Sequence, residues 1–341
     1  MSFPLLPPID TIDPRLPYNN LCDHYGAISV ARNYCGYGGQ PWLEGLWQHG
    51  CFPPWMDEGP DAFPYAHVYN ARVEWGKVFV ARRAEAVLLR NQGYKRVEAI
   101  GMPFIYLPKL DVERRPGALL VVPNHSLPGM GFADLTVMDA YADFIQSIRG
   151  HFSTVVASVH SGCLANGYWI RQFEERGIPW VLGADIKDRN ALLRMQMLFS
   201  QFEYVTTNAW GSHVPYALHT GAKLTVCGPV PKQSAGTLLN DAGFGGDRSL
   251  AAYYVSKRYA DQETRFLASF HRQPHEGVVD KELASSILGC ECKRSPEELM
   301  DLFAWSTKGR VVDVAVRAKN KIIRAGNRIT RGVRAGFLRS K

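Results

Sequence analysis

The sequence predicts an α/β protein of two units, the second built on a parallel sheet. Three observations carry that reading. At 341 residues the chain can bury two medium cores more readily than one large one. Short, near-continuously apolar strands alternate with helices, the pattern of a parallel sheet covered on both faces. Four successive strands end in polar residues, and a parallel sheet gathers such ends on one edge.

The first unit runs from about 21 to 108, after an irregular, proline-rich lead. GLWQHG (45–50) reads as a strand ending at a turn, KVFVAR (77–82) as a second strand and RVEAIG (96–101) as a third. AEAVLLRNQGY (84–94) is the helix between the last two. MPFIYLPKLDVERRPG then crosses over, and its prolines and charges suit a linker.

The second unit opens with ALLVVPNHS (118–126) as a strand and a helix over 133–152. TVVASVHSG (154–162) is the next strand, and LANGYWIRQFEERG (164–177) a helix closed by Gly177. PWVLGAD (179–185) and the helix 190–202 follow. The fourth strand runs through Tyr204 and Val205 into Thr206, Thr207 and Asn208, then a turn at Gly211 and Ser212. A helix from His213 to His219 ends at Gly221, and LTVCGP is the last strand. Later, Ser295 followed by Glu298 marks a capping box before a helix. Connection rules make the sheet right-handed and doubly wound.

The polar strand ends are Asn124-His125-Ser126, His160-Ser161, Asp185 and Thr206-Thr207-Asn208. The last set opens a helix, so hydroxyl donors and free backbone N–H groups meet at one point. That arrangement suits an anion, a phosphate in particular.

Composition excludes several classes. Hydrophobic content of 46% and charged content of 21% belong to a folded globular chain. No apolar run reaches the roughly 18–20 residues that span a bilayer. The N-terminus lacks the basic start of a secretory signal. The seven cysteines (22, 35, 51, 163, 227, 290, 292) are scattered, as expected of reduced thiols in the cytoplasm. GxGxxG, the P-loop, HExxH and the GxSxG elbow are all missing. Classical dinucleotide, P-loop, zinc and serine-hydrolase chemistry therefore fall away. No isolated DxD points to a metal.

The segment TTNAWGSHVPYALHTGAKLTVCGP resembles the donor-phosphate region of bacterial GT-B glycosyltransferases of surface-polysaccharide assembly. The resemblance covers about residues 25–305. It implies two Rossmann-like domains facing across a cleft: an acceptor-side domain at 1–110 and a nucleotide-donor domain at 111–305. The chain is also similar to teichoic-acid glycerophosphotransferases. LWQHG (46–50) resembles their W-H-G motif, and TTNAWGS (206–212) their T-D-x-S-S turn. Asn208 stands where that family has Asp, and each motif holds an extra residue.

The activity so implied is inverting, metal-independent transfer of a sugar from a nucleotide-sugar to a lipid-linked or polysaccharide acceptor, with no cofactor. His49, a histidine at a strand end, is the candidate base, and the W-H-G resemblance implies the same role. Asp23, His24 and Asp57 are weaker candidates. Thr206, Thr207 and Ser212, with amides near His213, would bind the leaving phosphate, and His213 would add a hydrogen bond or charge. Asn124, His125, Ser126, His160, Asp185 and Asn208 complete the donor-binding set. Trp210 and Tyr216 read as packing. The alternatives are a CDP-alcohol phosphotransferase and a non-catalytic nucleotide- or sugar-binding protein of a membrane complex.

The tail at 306–341 is separate. Residues 308–341 hold eleven Lys/Arg and one acid, Asp313, for +10, so the other 307 residues carry −3 of the total +7. Val311, Val312, Val314, Ile322, Ile323, Ile329, Val333, Phe337 and Leu338 are spaced among those cations. The pattern suits an amphipathic helix on an anionic bilayer, placing the protein at the inner face of the cell membrane. Nucleic acid is disfavoured, because no aromatic stacking platform accompanies the charge.

Overall fold

The structure is a computed structural model. It describes residues 6–11, 23–39, 45–57, 77–125, 132, 134–231, 235–239, 252–316 and 318.

Two parallel sheets organise the chain: the strand pattern predicts the second, and the GT-B resemblance implies the first. The first holds β1 (Gly45–Trp47), β2 (Lys77–Val80) and β3 (Arg96–Ala99), in that order. The second holds β4 (Arg115–Val121), β5 (Thr154–Val159), β6 (Trp180–Leu182), β7 (Phe202–Thr207) and β8 (Lys223–Val226). Its order is β6-β5-β4-β7-β8. The consecutive residues Leu119, Leu120 and Val121 are all fully buried. A strand covered on both faces has no reason to alternate polar and apolar residues.

That strand order decides where a ligand site can form. The chain winds outward from β4 to β6, then returns to the far side of β4 for β7. Connections leave β4 and β7 in opposite directions, which opens a crevice at their C-terminal ends.

Helix α1 (Ala27–Cys35) precedes the first strand, and between strands lie α2 (Arg83–Asn91), α3 (Thr136–Ile148), α4 (Ser161–Ala165), α5 (Ile170–Glu175), α6 (Ala191–Gln201) and α7 (His213–Thr220). α3 buries Met138, Tyr141, Ala142, Ile145 and Ile148, one stripe at helical spacing. Gly221 ends α7 in the left-handed conformation at φ 84°. The capping box of Ser295 and Glu298 is present.

The single helix expected over 164–177 is two. α4 stops before Gly167, and Trp169 adopts φ 71°, a conformation unusual for its type. Such a residue costs about 1–3 kcal/mol. The Trp169 indole is fully buried, and its Nε1–H donates to the Asn124 carbonyl at 2.9 Å. Burying about 150–250 Å² of tryptophan contributes about 4–6 kcal/mol, so packing outweighs helix continuity.

The expected linker is partly core. Pro103–Tyr106 forms a buried turn, and Phe104 stacks on Tyr216 of α7 at 4.0 Å and 8°. The chain also returns to the first sheet late in its course. Phe303 packs on Trp47 and Phe79 at 5.4 and 5.0 Å, and Trp305 stacks on Tyr37 at 4.6 Å. Leu288 accepts from the Met102 amide at 2.9 Å. At neighbouring Gly289 a Cβ would stand 2.0 Å from the Ala81 carbonyl, so any side chain would force the segments apart.

The root of the tail is docked. Residues 307–316 are helical. Asp313, 4% exposed, binds Lys77 at 2.8 Å and Arg96 at 2.7 Å. Gly309, one turn earlier, lies so close to Asp301 that a Cβ would stand 2.4 Å from its carbonyl oxygen. Val311, Val312 and Val314 are exposed. The apolar positions from Ile322 to Leu338 lie outside the described residues. Among the described residues no helix is long and apolar enough to cross a membrane.

Candidate active site

The crevice at the switch point is a cavity of about 390 Å³. Val122, Pro123 and His125 reach it from the end of β4, and His160 from the end of β5. Ser212 and His213 reach it from the turn after β7. The first unit adds Tyr25, His49 and Gly50. Leu192, Met195 and Tyr216 supply apolar wall. No Asp, Glu, Lys or Arg is among the described residues lining it.

A direct bond clasps the two units at the rim. The Cys51 amide donates to Ser212 Oγ at 2.9 Å. His49 is two residues away, so the clasp sets the height of the candidate base against the opening of α7.

His49 has a partner. Its Nδ1 lies 3.0 Å from Nδ1 of His24, with the rings at 86°. Burial, then the nearby His24, lowers His49 to about 3, and burial lowers His24 to about 4. Both rings are therefore neutral near pH 7. One of the two facing nitrogens carries the shared proton.

His213 is held from within its own turn. Its Nε2 meets Thr207 Oγ1 at 2.8 Å. Burial, then His125, lowers it to about 3, against a smaller opposing effect of the Ala209 carbonyl. His160 caps α4, accepting at Nδ1 from the Gly162 amide at 2.9 Å. Its Nε2 lies 3.2 Å from the Tyr25 hydroxyl, and His125 stacks on its ring at 4.3 Å and 18°. Burial and then His125 push it well below the usual histidine value. Among the described residues no group of three His, Cys, Asp or Glu could hold a metal ion.

No family model and no curated protein matches the chain. Solved structures do match, at low similarity. One is the pneumococcal O-GlcNAc transferase GtfA in complex with UDP and GlcNAc, at 12% identity and TM-score 0.33, over 75% of this chain and 52% of that one. Another is S. aureus MnaA with UDP, at 9% identity and TM-score 0.32, over 61% of this chain and 57% of that one. A third is Phytolacca americana UGT2 complexed with UDP-2fluoro-glucose and pterostilbene, at 15% identity and TM-score 0.26, over 87% and 69%. The chain spans a little over half the length of the first two. Likenesses this weak carry no argument about chemistry, and the fold stands on its own strand order.

The cavity gathers five of the residues singled out from sequence: His49, His125, His160, Ser212 and His213. It does not gather the threonines. Thr206 is fully buried, and its hydroxyl meets Thr225 at 3.0 Å and the Cys227 thiol at 3.4 Å. Register explains this, since Thr206 and Thr225 are paired across β7 and β8. Thr207 is also fully buried and holds His213. Asn208 ties strand ends together, accepting from the Asn124 amide at 2.8 Å and donating to the Pro229 carbonyl at 2.8 Å. Asp185 closes a local turn by accepting from the Lys187 amide at 2.7 Å. Of the hydroxyl-rich turn, Ser212 therefore remains to meet a ligand. Ser126 lies outside the described residues.

Asp23 is spoken for by structure. Its Oδ1 accepts from the Ile28 and Ser29 amides at 2.8 and 3.4 Å, inside the start of α1. Burial raises it to about 6, against those amides and the charges of Arg189 and Arg32. Asp57 ends a short turn, Pro54–Asp57, and does not line the cavity.

Tyr25 and Tyr216 are cavity residues the sequence did not yield. Tyr25 adopts φ 58° beside Gly26, whose Cα abuts the Arg189 carbonyl so closely that a Cβ would stand 1.9 Å from its oxygen. A tyrosine between His24 and a left-handed glycine was the available signal. Tyr216 packs on Phe104, as its apolar helix suggests, yet its buried hydroxyl makes no well-formed hydrogen bond, though Ser212 is close. Such an orphan is unusual in a native fold. Trp210 packs between Trp55 and Phe266, both at 5.4 Å.

Proposed function

We propose that the protein is an inverting glycosyltransferase of the GT-B type that moves a sugar from a nucleotide-sugar to an acceptor hydroxyl. One observation carries the reading. A single cavity joins His49 of the first unit to Ser212, His213 and the start of α7 in the second.

In this reading His49 removes the acceptor proton as the oxygen attacks the anomeric carbon. The bond from that carbon to phosphate oxygen breaks on the opposite face, which inverts the centre. A base must be neutral before it can accept a proton, and burial keeps His49 so. Charge then grows on the departing diphosphate. The Ser212 hydroxyl, the Tyr216 hydroxyl and the amide dipoles opening α7 are suited to meet it. Among the described residues the cavity wall holds no Lys or Arg, so these dipoles matter more than they would in water.

The acceptor is proposed as lipid-linked or polysaccharide, and the basic tail as the element that meets an anionic membrane at the inner face of the cell. The +10 charge of residues 308–341 supports this. Deletion after Trp305 should release the chain from anionic vesicles; unchanged co-sedimentation would remove the membrane role.

A thermal-shift screen with CMP, CDP, UDP, GDP and TDP tests the donor class. A nucleotide at 100 times its Kd adds about 2.7 kcal/mol of stability. No shift with any of them sinks the proposal. Turnover is expected to survive excess EDTA, and loss reversed by magnesium would exclude the metal-free route.

A further inference from the structure

The cap of α4 fixes more than a helix end. The Gly162 amide donates to His160 Nδ1 at 2.9 Å, so that nitrogen presents its lone pair. A neutral imidazole holds one ring proton, which must then sit on Nε2. Nε2 is 3.2 Å from the Tyr25 hydroxyl oxygen. This network assigns the ring as donor and the phenol oxygen as acceptor.

The Tyr25 proton is thereby turned away from His160, the one hydrogen-bonded neighbour of its hydroxyl among the described residues. Tyr25 lines the cavity together with His49. We propose that Tyr25 presents its hydroxyl proton to an acceptor oxygen of the molecule bound there, and that His160 is the positioning residue that compels it. The nature of that oxygen, phosphate or sugar, rests on the glycosyl-transfer reading; the direction of the bond does not.

Two further features agree. The backbone holds Tyr25 at φ 58°, with its amide donating to the Ile186 carbonyl at 2.9 Å. A strained residue at a cavity persists only where its surroundings over-determine it. The phenol also stays protonated, because burial and then the Asp185 carboxylate hold its pKa well above the usual value. Asp185 uses Oδ1 on the Lys187 amide.

The test has two arms on the full-length chain. Long-range proton–nitrogen correlation spectra of the ligand-free protein at neutral pH should show His160 bare at Nδ1 and protonated at Nε2. Tyr25→Phe should shift that Nε2–H signal. A bare Nε2, or a doubly protonated ring, overturns the proposal. In the second arm, calorimetry measures UDP binding. Tyr25→Phe, which keeps the ring, should weaken it about tenfold. His160→Asn still caps α4 but cannot reach Tyr25, and should weaken it by about threefold. UDP binding unaltered by Tyr25→Phe overturns the proposal. Wild-type protein that ignores UDP yet shows the assigned tautomer removes the nucleotide reading and leaves the donor assignment standing.

Discussion

His24 and His49 meet nitrogen to nitrogen, with Nδ1 to Nδ1 at 3.0 Å. For His49 to act as a base through Nε2, its own Nδ1 must hold the proton and His24 must accept it. Burial lowers both rings, so both are neutral near pH 7 and His24 Nδ1 can present a lone pair to His49. His24 then does for His49 what a carboxylate does in many His-based sites, without adding charge.

Replacing His49 with Ala should lower the proposed sugar transfer by about 10²–10⁴-fold and leave nucleotide binding intact. His24→Phe removes the acceptor while keeping a ring of similar size. Its kcat should fall about tenfold or more at unchanged nucleotide affinity. Turnover of the His49 variant near wild type would refute its role as base.

The clasp between Cys51 and Ser212 makes a stability prediction. Ser212→Ala leaves the half-buried Cys51 amide without its 2.9 Å acceptor. Urea denaturation should show a loss of about 1–3 kcal/mol. A loss below 0.5 kcal/mol would mean that water replaces the hydroxyl at no cost.

Acid should unfold the protein early. His24, His49 and His213 fall from 6.5 to about 4, about 3 and about 3 in the folded state. Below pH 6.5 the unfolded chain takes up protons that the folded chain refuses. Stability is thus full above pH 6.5 and falls as pH drops toward 3–4, by about 1.4 kcal/mol per pH unit for each such ring. Asp23, raised from 3.8 to about 6, acts oppositely: it favours the folded state as pH falls from about 6 toward 3.8. Three rings outweigh one carboxyl. Denaturation midpoints from pH 7.5 to 4.5 should decline, and less steeply in a His213→Gln variant.

Asp313→Asn should destabilise the first sheet. It leaves Lys77 and Arg96, with side chains 15% and 19% exposed, facing a neutral amide. Partial exposure tempers the cost to about 1–3 kcal/mol. A melting temperature within one degree of wild type would show that solvent replaces the carboxylate.

The strands were legible because both-faces burial writes a plain apolar run, as at Leu119–Val121. His160 and Ser212 were legible because a parallel sheet puts C-terminal strand ends on one edge, and His49 because it closes a strand within LWQHG. Thr206 was misleading: its type suited a phosphate, but pairing with Thr225 is a fact of register that one strand cannot reveal. The break at Trp169 and the placing of Tyr25 both depend on left-handed backbone at residues other than glycine. Local propensity opposes that conformation, and tertiary packing imposes it.

The docked root of the tail sets a direction. Asp313 grips Lys77 and Arg96, the first residues of β2 and β3, while His49 follows the last residue of the parallel β1. A four-residue strand spans about 13 Å. Whatever holds the tail therefore pulls on one end of the first sheet while the cavity lined by His49 lies beyond the other. A molecule moored this way stands its mouth off from the mooring, like a boat tied by the stern.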